Sequence, residues 1–344
     1  MMLRSVPTAL CCAVLLLLGV LPAAGTALVA DTTLVADTTA VGADTEAYRI
    51  YRPDGTAVTL NDLAAAADTV QVVFFGEQHN DPVAHALQDS LFRQLHARAD
   101  TATARPVALS LEMFDRDVQY ILDEYLAGHI NEENFLQSVR PWSNYASDYR
   151  PLVEVARTRE LPVLAANAPR RYANMVSRKG RGALPALPDA AQRYMAPLPY
   201  PDASAAYRAR WNRVMAGGHG DDTSADTLAA DTTEADTTEA DAPQEGPHTD
   251  TFLDAQVLWD ATMAYSLAQH LLRTPDAVIL HLTGSFHVDR GLGTPEQLQH
   301  YRPGTPTLII VARPVADVTA FDERRYGASG DFIILTDETL PRSF

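Results

Sequence analysis

The chain has 344 residues, is 47% hydrophobic and carries a formal net charge of −17. That length can bury one substantial core or two small ones. The charge, with no basic stripe to neutralise phosphates, excludes nucleic acid as a partner.

In chain order, the first feature is an export signal. Arg4 precedes an apolar run from Ala9 to Leu21, and small residues follow through Ala27. This order of charge, apolar run and small residues predicts a cleaved secretory signal over residues 1–30. The run is short for a bilayer span, and no later stretch is long and apolar enough to cross one, so no transmembrane segment is expected in the mature chain. Cys11 and Cys12, the only cysteines, both lie inside the run. The mature chain therefore has no disulfide, thiolate metal site or cysteine nucleophile. Neither cysteine follows the run, so an exported periplasmic or secreted product is expected, without a lipid anchor.

Two segments repeat one acidic, threonine-rich phrase: ADTTLVADTT at 30–39 and ADTTEADTTEAD at 230–241. Both are dense in like charge and poor in large apolar groups, so they cannot offset the entropy of ordering. The first reads as a disordered tether over 31–46, the second as a disordered insertion at 220–250. Setting aside the fourteen acids of these segments and Arg4 brings the net charge to about −4. The expected organisation is signal, tether and a single domain over 47–344 interrupted by the insertion.

Within that domain, short runs rich in Val, Ile and Leu predict strands at Val70–Phe75, Pro106–Leu111, Leu161–Ala165, Ala277–Leu282 and Thr307–Val311, with Phe332–Leu335 as a late edge strand. Helical periodicity predicts helices over Asp81–Ala99, Asp117–Ala127, Glu132–Val139, Arg150–Arg159, Ala203–Ala216 and Thr251–Leu272, and a helix start at Ala168-Pro169-Arg170. The alternation predicts an α/β fold: a mainly parallel sheet covered by helices on both faces.

The residues after the strands carry the chemistry. Gly76-Glu77-Gln78-His79 follows the first strand, Glu112 the second, Asn167 and Arg170 the third, and Gly284-Ser285-Phe286-His287 the fourth. The carboxyl ends of parallel strands share one edge, where ligands bind. Glu77, His79, Glu112, Asn167, Arg170 and His287 are therefore expected to converge there. Two imidazoles and two carboxylates suit a divalent metal, or acid–base work on a bound water. Each histidine taken singly is explained as well by a hydrogen-bonded loop; the repeated Gly-x-x-His after apolar strands is not, and a lone buried Glu112 is costly.

A second cluster is aromatic and includes Tyr145, Tyr149, Tyr172 and Tyr207. Most of these rings are explained by packing, but tyrosines near an apolar pocket also suit haem, with a phenolate on ferric iron. Cys-x-x-Cys-His is absent, which excludes covalent haem attachment.

Five phrases, FFGEQHNDPVAHALQ, LSLEMFDRDVQ, the Trp142–Asp148 stretch, LPVLAANAPRR and GSFHVDRGLGTPEQL, cover about 120 residues in order and resemble the ChaN family of haem-binding uptake proteins, in the Tiki superfamily. The resemblance implies an α/β domain holding haem non-covalently, a tyrosine on iron, a homodimer around paired haems, and a role in haem or iron acquisition. Tyr145, Tyr149, Tyr172 and Tyr207, with Asn167 and Arg170, are the candidate haem contacts. The family's usual lipoprotein cysteine is missing here. In the wider superfamily, motifs like those at Glu77, His79, Glu112 and His287 belong to hydrolases. The alternative function is thus a metal-dependent hydrolase, with Glu77 or Glu112 as base and the histidines as metal ligands. An adhesive exported protein acting through its acidic tracts is a third reading. Neither Gly-x-Ser-x-Gly nor His-Glu-x-x-His is present, which argues against a serine hydrolase and the usual helical zinc protease.

Overall fold

A computed structural model of the chain describes residues 47–99, 105–216 and 248–344. The expected signal and tether lie outside the described residues, as does the expected insertion except for its last three. Those three, 248–250, belong to a helix.

Eight strands form one sheet in the order β2-β1-β8-β7-β3-β6-β4-β5. They are β1 Tyr48–Tyr51, β2 Ala57–Val58, β3 Val72–Glu77, β4 Val107–Asp115, β5 Val163–Asn167, β6 Val278–Gly284, β7 Thr307–Val315 and β8 Phe332–Asp337. From β8 to β5 all neighbours are parallel. β1 and β2 add an antiparallel extension. The mainly parallel α/β sheet is as expected, with one correction: β8 is not an edge. β1 pairs along it from Tyr48↔Thr336 to Tyr51↔Ile333, because its own Ile50 and Tyr51 are apolar enough to be buried there.

Side chains alternate across the sheet. Val73, Phe75, Leu109, Leu111, Leu280 and Leu282 face one core. It is covered by α1 Leu60–Ala67, α2 Pro82–Ala99, α3 Gln119–Leu126, α4 Glu132–Val139 and α5 Arg150–Thr158. Val72, Phe74, Ala108 and Ile279 face the other side, under α9 His248–Arg273 and α10 Thr294–Tyr301. α6 Arg170–Lys179 and α8 Ala205–Met215 pack outside α9 in a further apolar cluster. Two short helices, α7 Asp189–Gln192 and α11 Glu323–Tyr326, complete the fold.

The free side of β5 is occupied by a side chain. Gln119 Nε2 donates to the Val163 carbonyl at 2.9 Å, and its Oε1 accepts from Ala165 N at 2.7 Å. The sheet also sets the position of the site. After β3 the chain crosses β6 to reach β4, and after β6 it crosses β3 to reach β7. The crevice where the chain departs in opposite directions, beyond the carboxyl ends of β3 and β6, is where open α/β sheets bind ligands.

Candidate functional site

Glu77 ends β3 with its side chain on the α2–α5 side, and it is 2% exposed. Burial of an isolated carboxylate is costly, and four side chains answer it. Tyr149, in a π-turn at Tyr145–Tyr149, donates its hydroxyl to Oε1, and His79 Nδ1 lies 3.0 Å from the same oxygen. Gln88 donates to Oε2 at 2.5 Å, and His85 Nδ1 is 3.6 Å away. Burial alone would raise the Glu77 carboxyl; His85, His79 and Tyr149 hold it below its ordinary value.

His79 is fixed at its backbone as well. Its carbonyl accepts from Asn144 Nδ2 at 2.7 Å and lies 3.0 Å from His85 Nε2. The ring meets Trp142 edge-on at 4.4 Å. With Nδ1 against the Glu77 carboxylate, the proton of the neutral ring belongs on Nδ1 and the lone pair on Nε2. That Nε2 is buried and has no hydrogen-bond partner. A buried polar atom without a partner costs about 1–3 kcal/mol and calls for an explanation.

Glu112 reaches the same edge from the opposite face, beneath α9. Its Oε2 accepts from Thr283 Oγ1 at 2.6 Å and from Gly284 N at 2.8 Å, and Oε1 lies 3.4 Å from His287 Nε2. His287 Nδ1 is 2.7 Å from Asp260 on α9. Asp260 also accepts from Tyr207 at 2.6 Å and Thr294 at 2.8 Å. Burial opposes a charge on His287, but Glu112 and Asp260 outweigh it and push its pKa up to about 10, so the ring is an imidazolium at neutral pH. Glu112 is held far below the carboxylate range: burial raises it, and His287 with His79 overcomes that. For His79, burial works against protonation while Glu77 and Glu112 raise its pKa, and His287 partly offsets them. His79 thus lies within electrostatic reach of Glu77, Glu112 and His287, while Glu77 and Glu112 themselves sit on opposite faces of the sheet.

The turn carrying His287 is clamped from below. Asp289 is buried between Arg210 (3.2 Å) and Arg313 (3.0 Å). The same arginines donate to the Phe286 carbonyl at 2.7 Å and to Ser285 Oγ at 2.9 Å. Gly76 allows this turn to approach β3, since a Cβ there would meet Val288 at 2.6 Å and the Ser285 Cα at 2.9 Å. Gly293 is more constrained: its φ is +69°, and a Cβ would lie 2.6 Å from the His287 carbonyl and 2.9 Å from Asp260. Gly293→Ala is therefore expected to cost roughly 2–3 kcal/mol from backbone strain and displacement of His287. Equilibrium denaturation measures this, and an unchanged midpoint would contradict it.

Not every expected residue joins this centre. Asn167, at the end of β5, accepts at Oδ1 from Ala168 N, and Arg170 N donates to Asp115 at 3.4 Å. Tyr145 packs with Phe114 and Phe135 in the core. Tyr149 and Tyr207 serve Glu77 and Asp260. Tyr172 is half-buried at the margin of the α6–α9 cluster, where Arg171 lies 4.4 Å from its ring and donates to its hydroxyl at 3.3 Å. The divalent-metal expectation on Glu77, His79, Glu112 and His287 finds no support: among the described residues no group of three or more His, Cys, Asp or Glu is placed to hold a metal ion. The reason is visible in the bonds above, where the carboxylates and both His287 nitrogens are spent on one another.

Sequence reasoning missed Asp260, His85 and Gln88. A signal existed for each. Asp260 is a lone acid in the apolar stretch Val257–Ala264, and His85 and Gln88 stand three residues apart on the buried side of α2.

A family model described as haem-binding uptake, Tiki superfamily, ChaN matches residues 63–298. Among solved structures, ChaN of Campylobacter jejuni, described with cofacial heme bound, is similar with a TM-score of 0.58 and 14% identity, covering 84% of this chain and 97% of that one. At this identity the likeness is one of fold. The type III effector HopBA1 is similar more loosely, with a TM-score of 0.42 and 9% identity over 81% of this chain and 93% of that one. No curated protein sequence matches.

Proposed function

Because the chain belongs to the ChaN family of haem-binding uptake proteins in the Tiki superfamily, we propose that it binds haem non-covalently, with Tyr172 as the iron ligand. Ligation needs a phenol that can reach the haem and lose its proton. Burial, then Glu77, raises Tyr149 well above the ordinary phenol value; burial, then Asp260, does the same for Tyr207. Burial also raises Tyr145 within its aromatic core. Tyr172 alone of the four is half-exposed, and it stands beside Arg170 and Arg171, cations suited to the haem propionates. That placement is the observation that carries the reading. When bound, haem would supply the iron centre; the chain would supply the phenolate and the propionate contacts.

Export, haem or iron acquisition, and a homodimer around paired haems extend this reading and rest on the family and the signal-like N-terminus. Ferric haem titrated into the purified mature chain is expected to give a tyrosinate-type absorption spectrum, which Tyr172→Phe abolishes while the melting temperature stays put. No binding by the parent overturns the haem reading. An unchanged spectrum in the variant overturns only the choice of ligand. Sedimentation of the haem-loaded chain tests the pairing.

A second reading, hydrolysis, is favoured by the buried, unpartnered His79 Nε2. Backed by Glu77, it is built as a base for a water, while the His287 imidazolium, held by Glu112 and Asp260, supplies a fixed positive charge rather than a proton. This replaces metal ligation with a base at His79 and a fixed charge at His287. A panel of small esters and peptides tests it: turnover lost in His79→Gln and His287→Gln supports hydrolysis, and no turnover of any substrate by the parent sinks it.

A further inference from the structure

A cavity of about 750 Å³ opens beside β5, lined by none of Glu77, His79, Glu112, His287 or Tyr172. Its floor is the Val163–Ala165 backbone with Gln119, and one wall is formed by Arg116 with Tyr265, His270 and Arg273 of α9. Met195 and Leu198 supply apolar lining.

The cations of that wall lack counter-charges. Arg116 donates to Ser266 Oγ at 2.7 Å and lies over the Tyr265 ring at 5.3 Å, yet it makes no ion pair among the described residues. Its Nε is buried without a partner. Two carboxylates, Asp123 and Asp189, also line the cavity, but neither is ion-paired with Arg116 or Arg273; Asp123 accepts from Gln119 at 2.9 Å. Burial disfavours the Arg116 charge, Tyr265 partly offsets that, and Arg273 disfavours it further. Burial and then Arg273 likewise lower the His270 pKa. Like charges crowded on one half-buried wall repel each other, and an anion between them would remove that cost.

We propose that this cavity binds a small organic carboxylate with a flat apolar body, its carboxylate on Arg116 and Arg273 and its body against Tyr265, Met195 and Leu198. A guanidinium with a free buried N–H matches a carboxylate's paired oxygens, and a pocket of this size with mixed lining suits a small molecule. The proposal is independent of haem.

Isothermal titration of the haem-free chain with 2-naphthoate, and with its neutral amide, tests it. The acid is expected to bind about tenfold or more tightly than the amide, and Arg116→Gln to erase that preference. Arg273→Gln, on a more exposed side chain, should weaken the acid in the same direction and serves if the Arg116 variant does not fold. Absence of 2-naphthoate binding overturns the proposal, as does equal binding of acid and amide. So does a preference for the acid that survives both substitutions.

Discussion

Asp289→Ala is expected to lower stability by roughly 3–5 kcal/mol, among the largest effects of any single substitution in this fold. The carboxylate is 2% exposed and answers two buried arginines, one from α8 and one from β7, with the more exposed Arg290 at 3.8 Å. Removing it leaves two buried positive charges facing each other across the space it filled. Both arginines also hold the turn that carries His287, so the loss should reach the strand-end centre. Denaturant unfolding gives the stability, and the His287 imidazole resonances report the turn. Asp289→Asn, which keeps the shape and loses the charge, should fall between parent and alanine. A change below about 1 kcal/mol for alanine would mean the triad contributes nothing net, as for an exposed pair.

The second large effect is on pH dependence. The folded state holds the His287 proton up to about pH 10, whereas an unfolded imidazole releases it near 6.5. The folded state therefore binds the proton more tightly. Its contribution is complete below about pH 6.5, declines as pH rises, and is gone above about pH 10. Each unit of difference is worth about 1.4 kcal/mol, so the decline amounts to a few kcal/mol. Asp115 acts in the same direction at lower pH: burial and then Asp117 raise it to about 7, so it costs stability as pH climbs from 3.8. Glu112 and Glu77, both lowered, act oppositely and remove stability as pH falls through the acid range. Stability measured from pH 6 to 10 should slope downward in the parent and flatten in His287→Gln. Parallel slopes in the two proteins would contradict the assignment. Asp115→Asn should separately flatten the slope between pH 4 and 7.

The strands and the site differ in how much the sequence discloses. Six strands were legible because each is mostly buried and reads as a largely apolar run, unbroken in Val72–Phe75 and interrupted by single polar residues such as Ser110 and His281 elsewhere. β1 was not, since Tyr48 and Arg49 break the run and it follows an acidic stretch. α1 was missed although Thr59 and Asp62, three residues apart, cap each other reciprocally. At the site, Glu77, His79, Glu112 and His287 were legible because a charged or imidazole group directly after a buried strand has no packing role. Their partners were not, because Asp260 and His85 lie within helices whose apolar period dominates the pattern. Tyr149 and Tyr207 were noticed as phenols near an apolar pocket. Their hydroxyls go instead to the nearest buried carboxylates, which need donors.

Gln119 has a consequence for how copies of the chain can meet. Its amide stands where a ninth strand would bond to β5, donating and accepting as a backbone would. At the far margin, β2 is two residues long and offers almost no template. Among the described residues both flanks are thus poor templates for a neighbour's strand, and open flanks are the usual route to fibres and runaway assembly. That favours self-association through side chains on the helical faces, contacts that can be finite, reversible and responsive to what is bound between them.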